Sequence, residues 1–304
     1  MPLTHVYCAA PKHRKGGVKH AVSLDDCLGC AASRHNTCQF TYELLSSMFA
    51  QVQDRGDRIS TTTLTSKCKR QLALTRSVDY AEEPEKMWPS FRGTMYHGQL
   101  ELHAAPGAIE EARFHVDLDG LGPLSGSPDL VDVSQGILYD YKTTKEVPRF
   151  NYVWGDHVEQ LNVNRWLVDH AHKATYQHQE YDLTSPEVRK MFVPEHWNDL
   201  IIVYIDDRGP KPISATRSED VPKADGKGTK KVRVLDLWNN EKAENWIREK
   251  YAEAQFALDG SWEGGLPPVP DHMAGWDHPL CGWCPKKVEC IDLHYAALPK
   301  GTTS

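Results

Sequence analysis

The sequence of 304 residues lacks any apolar run near the length of about 18 residues that a membrane span needs. It also lacks the hydrophobic stretch of a secretory signal near its start, so we expect a cytoplasmic protein with no membrane partner. An excess of positive charge is missing too, because the formal net charge is −7. A polyanion would therefore have to bind at local basic stretches, such as residues 1–38 and 208–233, whose simpler interpretation is two solvated loops.

The chain has eight cysteines, and without an export signal we expect reduced thiols rather than disulfides. Four of them form a local set: Cys8, then Cys27-x2-Cys30, then Cys38. Four thiolates in so short a segment can close a tetrahedral zinc site, and the metal would supply folding energy to a segment with little core. A nearby histidine could replace one thiolate, and the alternative is a set of cysteines without a metal.

The other four cysteines are split between two regions. Cys281, Cys284 and Cys290 lie near the C-terminus, and the first two have the Cys-x2-Cys spacing of a metal site. Three thiolates are one short of a closed site, and Cys68 is the cysteine left to complete it. Such a site could hold zinc or an iron–sulfur cluster, since both accept four thiolates. The alternative for Cys68 is a lone buried thiol.

Periodicity and turn residues predict an α/β fold with a central mixed sheet of about five strands flanked by helices. We expect an N-terminal four-cysteine module (1–45), a core (46–263), and a C-terminal cysteine tail (264–304) that packs on the helix carrying Cys68. Helices are predicted over 41–54, 64–76, 87–104 (interrupted at Pro89), 156–173 and 239–258, and strands over 111–118, 123–133, 136–142, 200–206 and 232–238, with a basic loop at 207–231 and a linker at 264–270.

Two carboxylates and a lysine are predicted to converge on neighbouring strands. Asp129 lies in one strand-like run, and Asp140 and Lys142 lie two residues apart on the next, so these two side chains share a face. A tight turn at 134–136 joins the runs. This set can hold Mg²⁺ or Mn²⁺, while Lys142 can orient the attacking water or stabilise a transition state. The alternative is an exposed strand pair, with Asp129 as a turn cap.

Further polar side chains are expected near these residues. His97 lies on the preceding predicted helix, and its imidazole suits manganese as a further ligand. Glu110 or Glu111 opens the strand before Asp129, and Gln160 lies on the helix that follows. These neighbours favour a catalytic metal site over an incidental pair of charges.

Together these motifs resemble the PD-(D/E)XK nuclease superfamily. The resemblance rests on Gly126-x-x-Asp129, then Asp140-x-Lys142, then a helix with glutamine, while a histidine upstream points to the RecB-like branch. The order of the cysteines, with one before the core and Cys-x2-Cys-x5-Cys after it, is similar to the AddB nuclease domain and the iron–sulfur CRISPR-associated exonucleases. The resemblance covers roughly residues 64–295.

The resemblance implies a restriction-endonuclease-like core in which His97, Asp129 and Asp140 bind the catalytic metal. It implies that Lys142 serves the nucleophilic water and that Gln160 contacts the substrate or the active-site network. By the same resemblance, the split cysteine set holds a [4Fe-4S] cluster that locks the C-terminal tail in place.

Three features depart from the family pattern. Asn164 stands where the family's Gln-x-x-x-Tyr motif has its tyrosine, which weakens any DNA-stacking role there. The family's acidic residue before Asp129 could be Glu110 or Glu111, and we include Glu111 among the catalytic residues. The N-terminal cysteine module maps onto no part of the common core.

The resemblance therefore implies a divalent-metal-dependent deoxyribonuclease, an exonuclease acting on single strands or DNA ends. Its partners would be DNA and the proteins of replication, recombination, repair or CRISPR spacer processing. One alternative is a non-catalytic DNA-binding or assembly subunit that keeps the fold, and another is a zinc protein with incidental carboxylates. The intact set of Asp129, Asp140 and Lys142 favours the nuclease.

Overall fold

The computed structural model describes residues 3–8, 20–33, 38–51, 58–77, 80–101, 107–144, 153–214, 218–222, 229–233 and 237–259, together with Cys281, Cys284 and Cys290. The helices in these residues are α1 (Leu24–Ala32), α2 (Tyr42–Ala50), α3 (Thr61–Leu64), α4 (Lys69–Ser77), α5 (Pro84–Glu101), α6 (Gly155–His170), α7 (Pro186–Phe192) and α8 (Asn240–Leu258). The strands in the same residues are β1 (Leu3–Tyr7), β2 (Ala21–Ser23), β3 (Ile59–Ser60), β4 (Tyr80–Glu82), β5 (Ala108–Glu110), β6 (Arg113–Leu118), β7 (Gly122–Gly126), β8 (Leu130–Asp132), β9 (Ile137–Thr143), β10 (Lys173–Tyr176), β11 (Gln179–Asp182), β12 (Asp199–Asp206), β13 (Gly209–Ser214), β14 (Ser218–Pro222) and β15 (Thr229–Arg233).

Two compact units divide the chain, and each is discontinuous in sequence. The first comprises Met1–Asp57, Ser66–Arg92 and Glu253–Ser304, and the second comprises Arg58–Thr65 and Gly93–Ala252. All eight cysteines belong to the first unit, whereas the predicted acidic site belongs to the second. The three-part division expected from the sequence stays a prediction.

The second unit contains two five-stranded sheets, with strand orders β11-β10-β6-β7-β3 and β13-β12-β9-β8-β5. The β3–β7 and β9–β12 pairs are parallel and the others are antiparallel, so both sheets are mixed. The α/β class and a mixed sheet of about five strands are confirmed, but the predicted strands are divided between two such sheets. The run predicted over 123–133 breaks near Pro128, which has no N–H to donate to a ladder. Its two halves, β7 and β8, therefore join different sheets.

The register of the second sheet positions the acidic residues. Strands β8 and β9 form the predicted antiparallel pair, with Leu130 opposite Tyr139. Their turn needs Gly136, which has φ 65° and whose added Cβ would lie 2.1 Å from the His196 carbonyl oxygen. Strand β12 then pairs with β9 in parallel, with Ile202 beside Asp140. Strand β9, which carries Asp140 and Lys142, therefore lies in the middle of its sheet.

Helix α6 covers this sheet with an apolar face. Leu161 packs with Leu138 of β9 and with Ile202 of β12, and all three are fully buried. Burying an aliphatic side chain of this size contributes about 2 kcal/mol. This packing fixes the helix on the strands that carry the acidic residues.

The first unit has a three-stranded sheet, with strand order β2-β1-β4, in which β1 and β4 are parallel. Ser23 and Thr41 cap helices α1 and α2, because each side chain accepts a backbone N–H in the first turn. Residues of both helices pack with β1 in an apolar core that includes Phe91 of α5. No helix in the described part of the chain is long and apolar enough to cross a membrane.

Two further predictions are corrected by the structure. Helix α5 continues through Pro89, because Met87 and Phe91 on either side pack into the core of the first unit. The segment 207–231 is not a loop, since it contains β13, β14 and the start of β15. Strand β13 tolerates two prolines because it lies at a sheet edge. The predicted linker at 264–270 lies outside the described residues.

Candidate active site and cysteine sets

Three neighbouring strands bring the acidic side chains together. Glu111 directly follows β5, Asp129 directly precedes β8, and Asp140 lies within β9. The register of the two ladders places Glu111 beside Asp129 and Asp129 beside Asp140. The backbone N–H of Glu111 donates to the Asp129 carbonyl at 3.2 Å, which extends the ladder by one residue.

The backbone at Glu111 adopts a left-handed conformation with φ 52°. Such a conformation costs a non-glycine residue about 1 kcal/mol or more. The side chain of Glu111 is 37% exposed, and its Oε1 lies 2.9 Å from Nδ1 of His97. Glu110 is instead buried in the sheet. The geometry therefore favours Glu111 over Glu110 as the acidic residue of the site.

His97 of α5 lies between two carboxylates. Its Nδ1 is 2.9 Å from Glu111 and 3.5 Å from Oδ1 of Asp129, and its ring meets that of Tyr141 edge-on at 6.4 Å. The hydrogen bond with Glu111 raises the pKa of His97, and the charge of Asp129 adds to this against the opposing effects of burial and Lys142. His97 can thus donate a proton or offer a ring nitrogen to a cation.

Asp140 and Lys142 form an ion pair below the surface. Asp140 is fully buried, and Nζ of Lys142 lies 2.8 Å from its Oδ2. Burial lowers the pKa of Lys142, but the charges of Asp140 and Asp129 outweigh burial, so the pKa is raised above its ordinary value. Lys142 therefore stays an ammonium group that can hold a water molecule or face negative charge on a phosphate.

Asp129 is costly to ionise in this environment. Burial raises the pKa of its carboxyl group to about 7, and the charge of Asp140 contributes. Lys142, His97 and the backbone N–H of Tyr141, which donates to Oδ2 at 2.5 Å, oppose the rise only in part. A bound cation would reverse this balance, because a positive charge favours the ionised carboxylate.

Among the described residues, only His97, Glu111 and Asp129 form a group of potential metal ligands whose donor atoms all lie within 4.8 Å of one another. Carboxylate oxygens with an imidazole nitrogen suit Mg²⁺ or Mn²⁺, so this donor set fits a divalent cation. Asp140 lies outside the group and pairs with Lys142. Its expected role as a metal ligand stays a prediction.

Helix α6 carries the two residues of the altered Gln-x-x-x-Tyr motif. Gln160 is half-buried, and its expected contact with substrate stays a prediction. Asn164 is 1% exposed and packs near Gly126, where an added Cβ would lie 3.3 Å from its Oδ1 and 2.1 Å from Oγ1 of Thr61. A side chain this deeply buried cannot stack on a DNA base, in agreement with the expectation from its sequence.

Sequence reasoning missed an aromatic group beside the catalytic strand. Tyr204 of β12 pairs in register with Lys142, and its hydroxyl lies 2.8 Å from Nδ1 of His157. Trp154, which directly precedes α6, meets both rings edge-on. Only the parallel register of β9 and β12 brings these residues to the site, and no local sequence pattern reports that register.

The first cysteine set is gathered in one place. The pKa of Cys27 is raised to about 11, mainly by burial and also by the nearby thiols of Cys38, Cys8 and Cys30. The backbone N–H of Cys8 donates to the His20 carbonyl at 2.9 Å, which fixes the end of β1 beside β2. Helix α1 carries Cys27 and Cys30 one turn apart.

The split cysteine set is also gathered. Burial raises the pKa of the Cys290 thiol, and Cys68 and Cys281 contribute, against the lowering effect of Arg70. Nη2 of Arg70, a buried residue, lies 3.3 Å from the Cys290 carbonyl oxygen, across 220 positions of sequence. The Cys284 N–H donates to the Cys281 carbonyl at 3.3 Å.

All eight cysteines belong to the described residues, and in neither set do three sulfur atoms lie within 4.8 Å of one another. The grouping follows the partition that the sequence predicts, and the thiol donors suit zinc or iron. The identity of the metal in each set stays a prediction.

A family model described as the PD-(D/E)XK nuclease superfamily matches residues 70–290. A search of curated proteins gives no match. The crystal structure of SSO0001 is similar over 84% of this chain and 94% of that chain, with 15% sequence identity and a TM-score of 0.44.

The family model matches most of the length of this chain, so the chain belongs to the PD-(D/E)XK nuclease superfamily. Members of this superfamily are mostly nucleases that use divalent metals such as Mg²⁺ or Mn²⁺. Membership therefore supports metal-dependent hydrolysis, with DNA implied as the substrate. The donor group of His97, Glu111 and Asp129 offers a site for such a metal.

Proposed function

We propose that this protein is a divalent-metal-dependent deoxyribonuclease of the RecB-like branch, an exonuclease that acts on single strands or DNA ends. One observation carries the proposal: in a nuclease-superfamily chain, a compact group of metal donors lies beside a buried aspartate–lysine pair. A metal ligand set next to a fixed ammonium group is what phosphodiester hydrolysis requires.

The side chains divide the chemistry between them. His97, Glu111 and Asp129, with Asp140 as a further ligand, would hold Mg²⁺ or Mn²⁺. When bound, the metal lowers the pKa of a water molecule and neutralises phosphoryl charge. Lys142, held by Asp140 at 2.8 Å, orients the attacking water and faces the negative charge that develops on the phosphate.

The proposal is tested with linear and circular DNA, single- and double-stranded, labelled at either end and incubated with Mn²⁺, Mg²⁺ or EDTA. We expect metal-dependent release of short products from linear ends, with circular DNA resistant. Asp129→Asn and Asp140→Asn should each lower the rate by about 10³-fold or more while DNA binding stays within a few-fold. Cleavage of circular DNA at the same rate as linear DNA would show that the enzyme is an endonuclease. Tight DNA binding by a wild-type protein that cleaves nothing would favour the non-catalytic subunit.

We also propose a [4Fe-4S] cluster at Cys68, Cys281, Cys284 and Cys290. The support is the shared position of thiols from distant parts of the chain, together with the buried Arg70 beside them. A buried guanidinium offsets the negative charge of four thiolates, which a neutral thiol cluster would not need. The cluster would join the end of the chain to α4, in keeping with similarity to the AddB nuclease domain and the iron–sulfur CRISPR-associated exonucleases.

For the first cysteine set we propose a structural zinc ion bound by Cys8, Cys27, Cys30 and Cys38. The support is the proximity of four thiols, one directly after β1, two on α1 and one before α2. Reduced thiols of both sets suit a cytoplasmic protein, which we propose for the location. Replication, recombination, repair and CRISPR spacer processing are the pathways in which such a nuclease would find protein partners.

A further inference from the structure

The N-terminal end of α6 lies against the catalytic strand. Strands β9 and β12 are parallel, and Lys142 pairs directly with Tyr204. Directly paired residues on neighbouring strands point to the same face of a sheet, so Tyr204 shares the face of Asp140 and Lys142. The charge of Asp140 acts on Tyr204, since it adds to burial in raising the pKa of the Tyr204 phenol.

Three contacts hold Trp154 beside this face. Its backbone N–H lies 3.4 Å from the Tyr204 hydroxyl. Its indole ring lies 5.3 Å from the Tyr204 ring at 82° and 5.3 Å from the His157 ring at 74°. The hydroxyl of Tyr204 and Nδ1 of His157 are themselves 2.8 Å apart. Edge-to-face contacts between aromatic rings are favourable, so the orientation of the indole is set before any ligand binds.

Trp154 is nevertheless 38% exposed. A large aromatic side chain gains from burial, and here two rings hold it at the surface next to a site for phosphodiesters. Among the described residues of this face, Asp140 and Lys142 carry charges, which bind phosphates but offer no flat apolar surface to a base. Asn164, the other motif position on α6, is buried and cannot provide such a surface.

On the basis of the nuclease function proposed above, we propose that Trp154 is the stacking platform for an unpaired nucleobase next to the scissile phosphate. Stacking of a base on an aromatic side chain contributes about 1–3 kcal/mol and tolerates every base. A base inside a duplex already has both faces stacked, so the platform selects a single-stranded substrate. A platform fixed in advance loses little conformational entropy on binding.

The test compares Trp154→Ala and Trp154→Phe with the wild type on single-stranded DNA and on bis(p-nitrophenyl) phosphate, a phosphodiester without a base. For DNA, Trp154→Ala should raise KM by about 5–150-fold, the equivalent of one lost stacking contact. Hydrolysis of the small diester should stay within about twofold of wild type, and Trp154→Phe should recover most of the DNA affinity. Tyr42→Ala, which removes an aromatic of similar exposure from α2 of the first unit, serves as a matched control.

A substrate with one abasic nucleotide beside the cleaved bond sharpens the test. The abasic nucleotide should raise the KM of the wild type by the same factor as Trp154→Ala raises the KM for normal DNA. The KM of Trp154→Ala should be the same for abasic and normal DNA. Equal KM values for wild type and Trp154→Ala would overturn the platform, and so would an equal loss on DNA and the small diester. If the wild type cleaves no diester at all, the nuclease proposal fails, and metal-free binding of oligothymidylate still tests stacking: lower affinity of Trp154→Ala supports it and equal affinity overturns it.

Discussion

The acidic site of the second unit and the cysteine sets of the first unit are assembled in opposite ways. Asp129 is tied to β9 by a hydrogen bond to Tyr141, only 12 positions away, through a hairpin with one glycine turn. Arg70 reaches the Cys290 carbonyl across 220 positions. Strand register holds the carboxylates, whereas the thiols of the split set come from parts of the chain that are far apart in sequence. A metal at the acidic site would therefore serve mainly the chemistry, whereas a metal at the cysteine sets would serve mainly folding.

The pKa shifts show what each arrangement costs. Burial raises the pKa of Asp129 to about 7, and the charge of Asp140, which the hairpin holds beside it, contributes to this rise. The thiols avoid a similar cost by staying protonated, as the pKa of Cys27 at about 11 indicates. Without a cation, the acidic site therefore holds two carboxylates in an unfavourable arrangement. The cysteine sets would become charged only when a metal binds and the thiols lose their protons.

The largest effect should come from Cys68→Ser. Losing one of four thiolates should remove the cluster, its iron and its visible absorbance, and should destabilise the first unit on the order of 5 kcal/mol. Iron analysis and thermal melting of anaerobic protein provide the measurement. Cys27→Ser is the matched control, expected to lose one zinc and keep the iron. Full iron in Cys68→Ser would show that another residue completes the set.

Lys142→Ala should act on the acidic site alone. We expect turnover to fall by about 10²–10³-fold, since a fixed charge facing the phosphate is lost, while the Kd for Mn²⁺ changes by no more than a few-fold. Calorimetry gives the metal affinity and a DNA assay the turnover. Lys173→Ala, which breaks an exposed ion pair with Glu180, should change neither. Full activity of Lys142→Ala at saturating Mn²⁺ would make the lysine a structural residue.

The charge stored at Asp129 should be visible in the pH dependence of stability. Its folded pKa of about 7 exceeds the ordinary value of 3.8, so ionisation costs nothing below pH 3.8, costs more as the pH rises, and costs its full amount above pH 7. Without Mg²⁺ or Mn²⁺, Asp129→Asn should therefore exceed the wild type in stability by about 2–4 kcal/mol at pH 8 and match it near pH 4. Denaturant unfolding of both proteins at several pH values measures the difference in the free energy of unfolding. A difference that does not change with pH would show that the ionisation of Asp129 does not cause it.

The smallest effect should separate two adjacent glutamates. Glu111→Gln should weaken Mn²⁺ binding by about tenfold, because its carboxylate belongs to the donor group. Glu110→Gln changes a buried side chain of the same sheet, so it should alter the melting temperature and leave the Mn²⁺ affinity within about twofold. Titration calorimetry gives the Mn²⁺ affinity of both variants. A larger loss of affinity in Glu110→Gln than in Glu111→Gln would show that the metal binds on the other face of the strand.

The parts of the site that the sequence predicts are those that form locally. Asp129, Asp140 and Lys142 meet through one hairpin, and its turn at 134–136 is visible from Gly136 alone. Alternation along β9 then reports which side chains share a face. The choice between the two glutamates was open, because no sequence pattern reveals the positive φ of Glu111.

The parts that could not be predicted depend on distant packing. Helix α5 overrides Pro89 because Phe91 finds an apolar core elsewhere in the first unit. The assignment of β7 and β8 to different sheets depends on partner strands, not on the residues within 123–133. Trp154 is held by His157 and by Tyr204, whose pairing with Lys142 depends on the parallel register of two strands.

The discontinuity of the first unit has a consequence for assembly on the ribosome. Although this unit contains Met1–Asp57, it also contains Glu253–Ser304, so it cannot be completed until those later residues have been made. The hairpin around Gly136 leaves the ribosome about 140 residues before Cys281, on the order of ten seconds earlier at ordinary elongation rates. Short-range closure is fast, so the nascent chain can collect a divalent ion at its carboxylates while the last thiols are still unmade. If the proposed cluster forms, iron would then reach a chain in which the hairpin of Asp129, Asp140 and Lys142 has already been made.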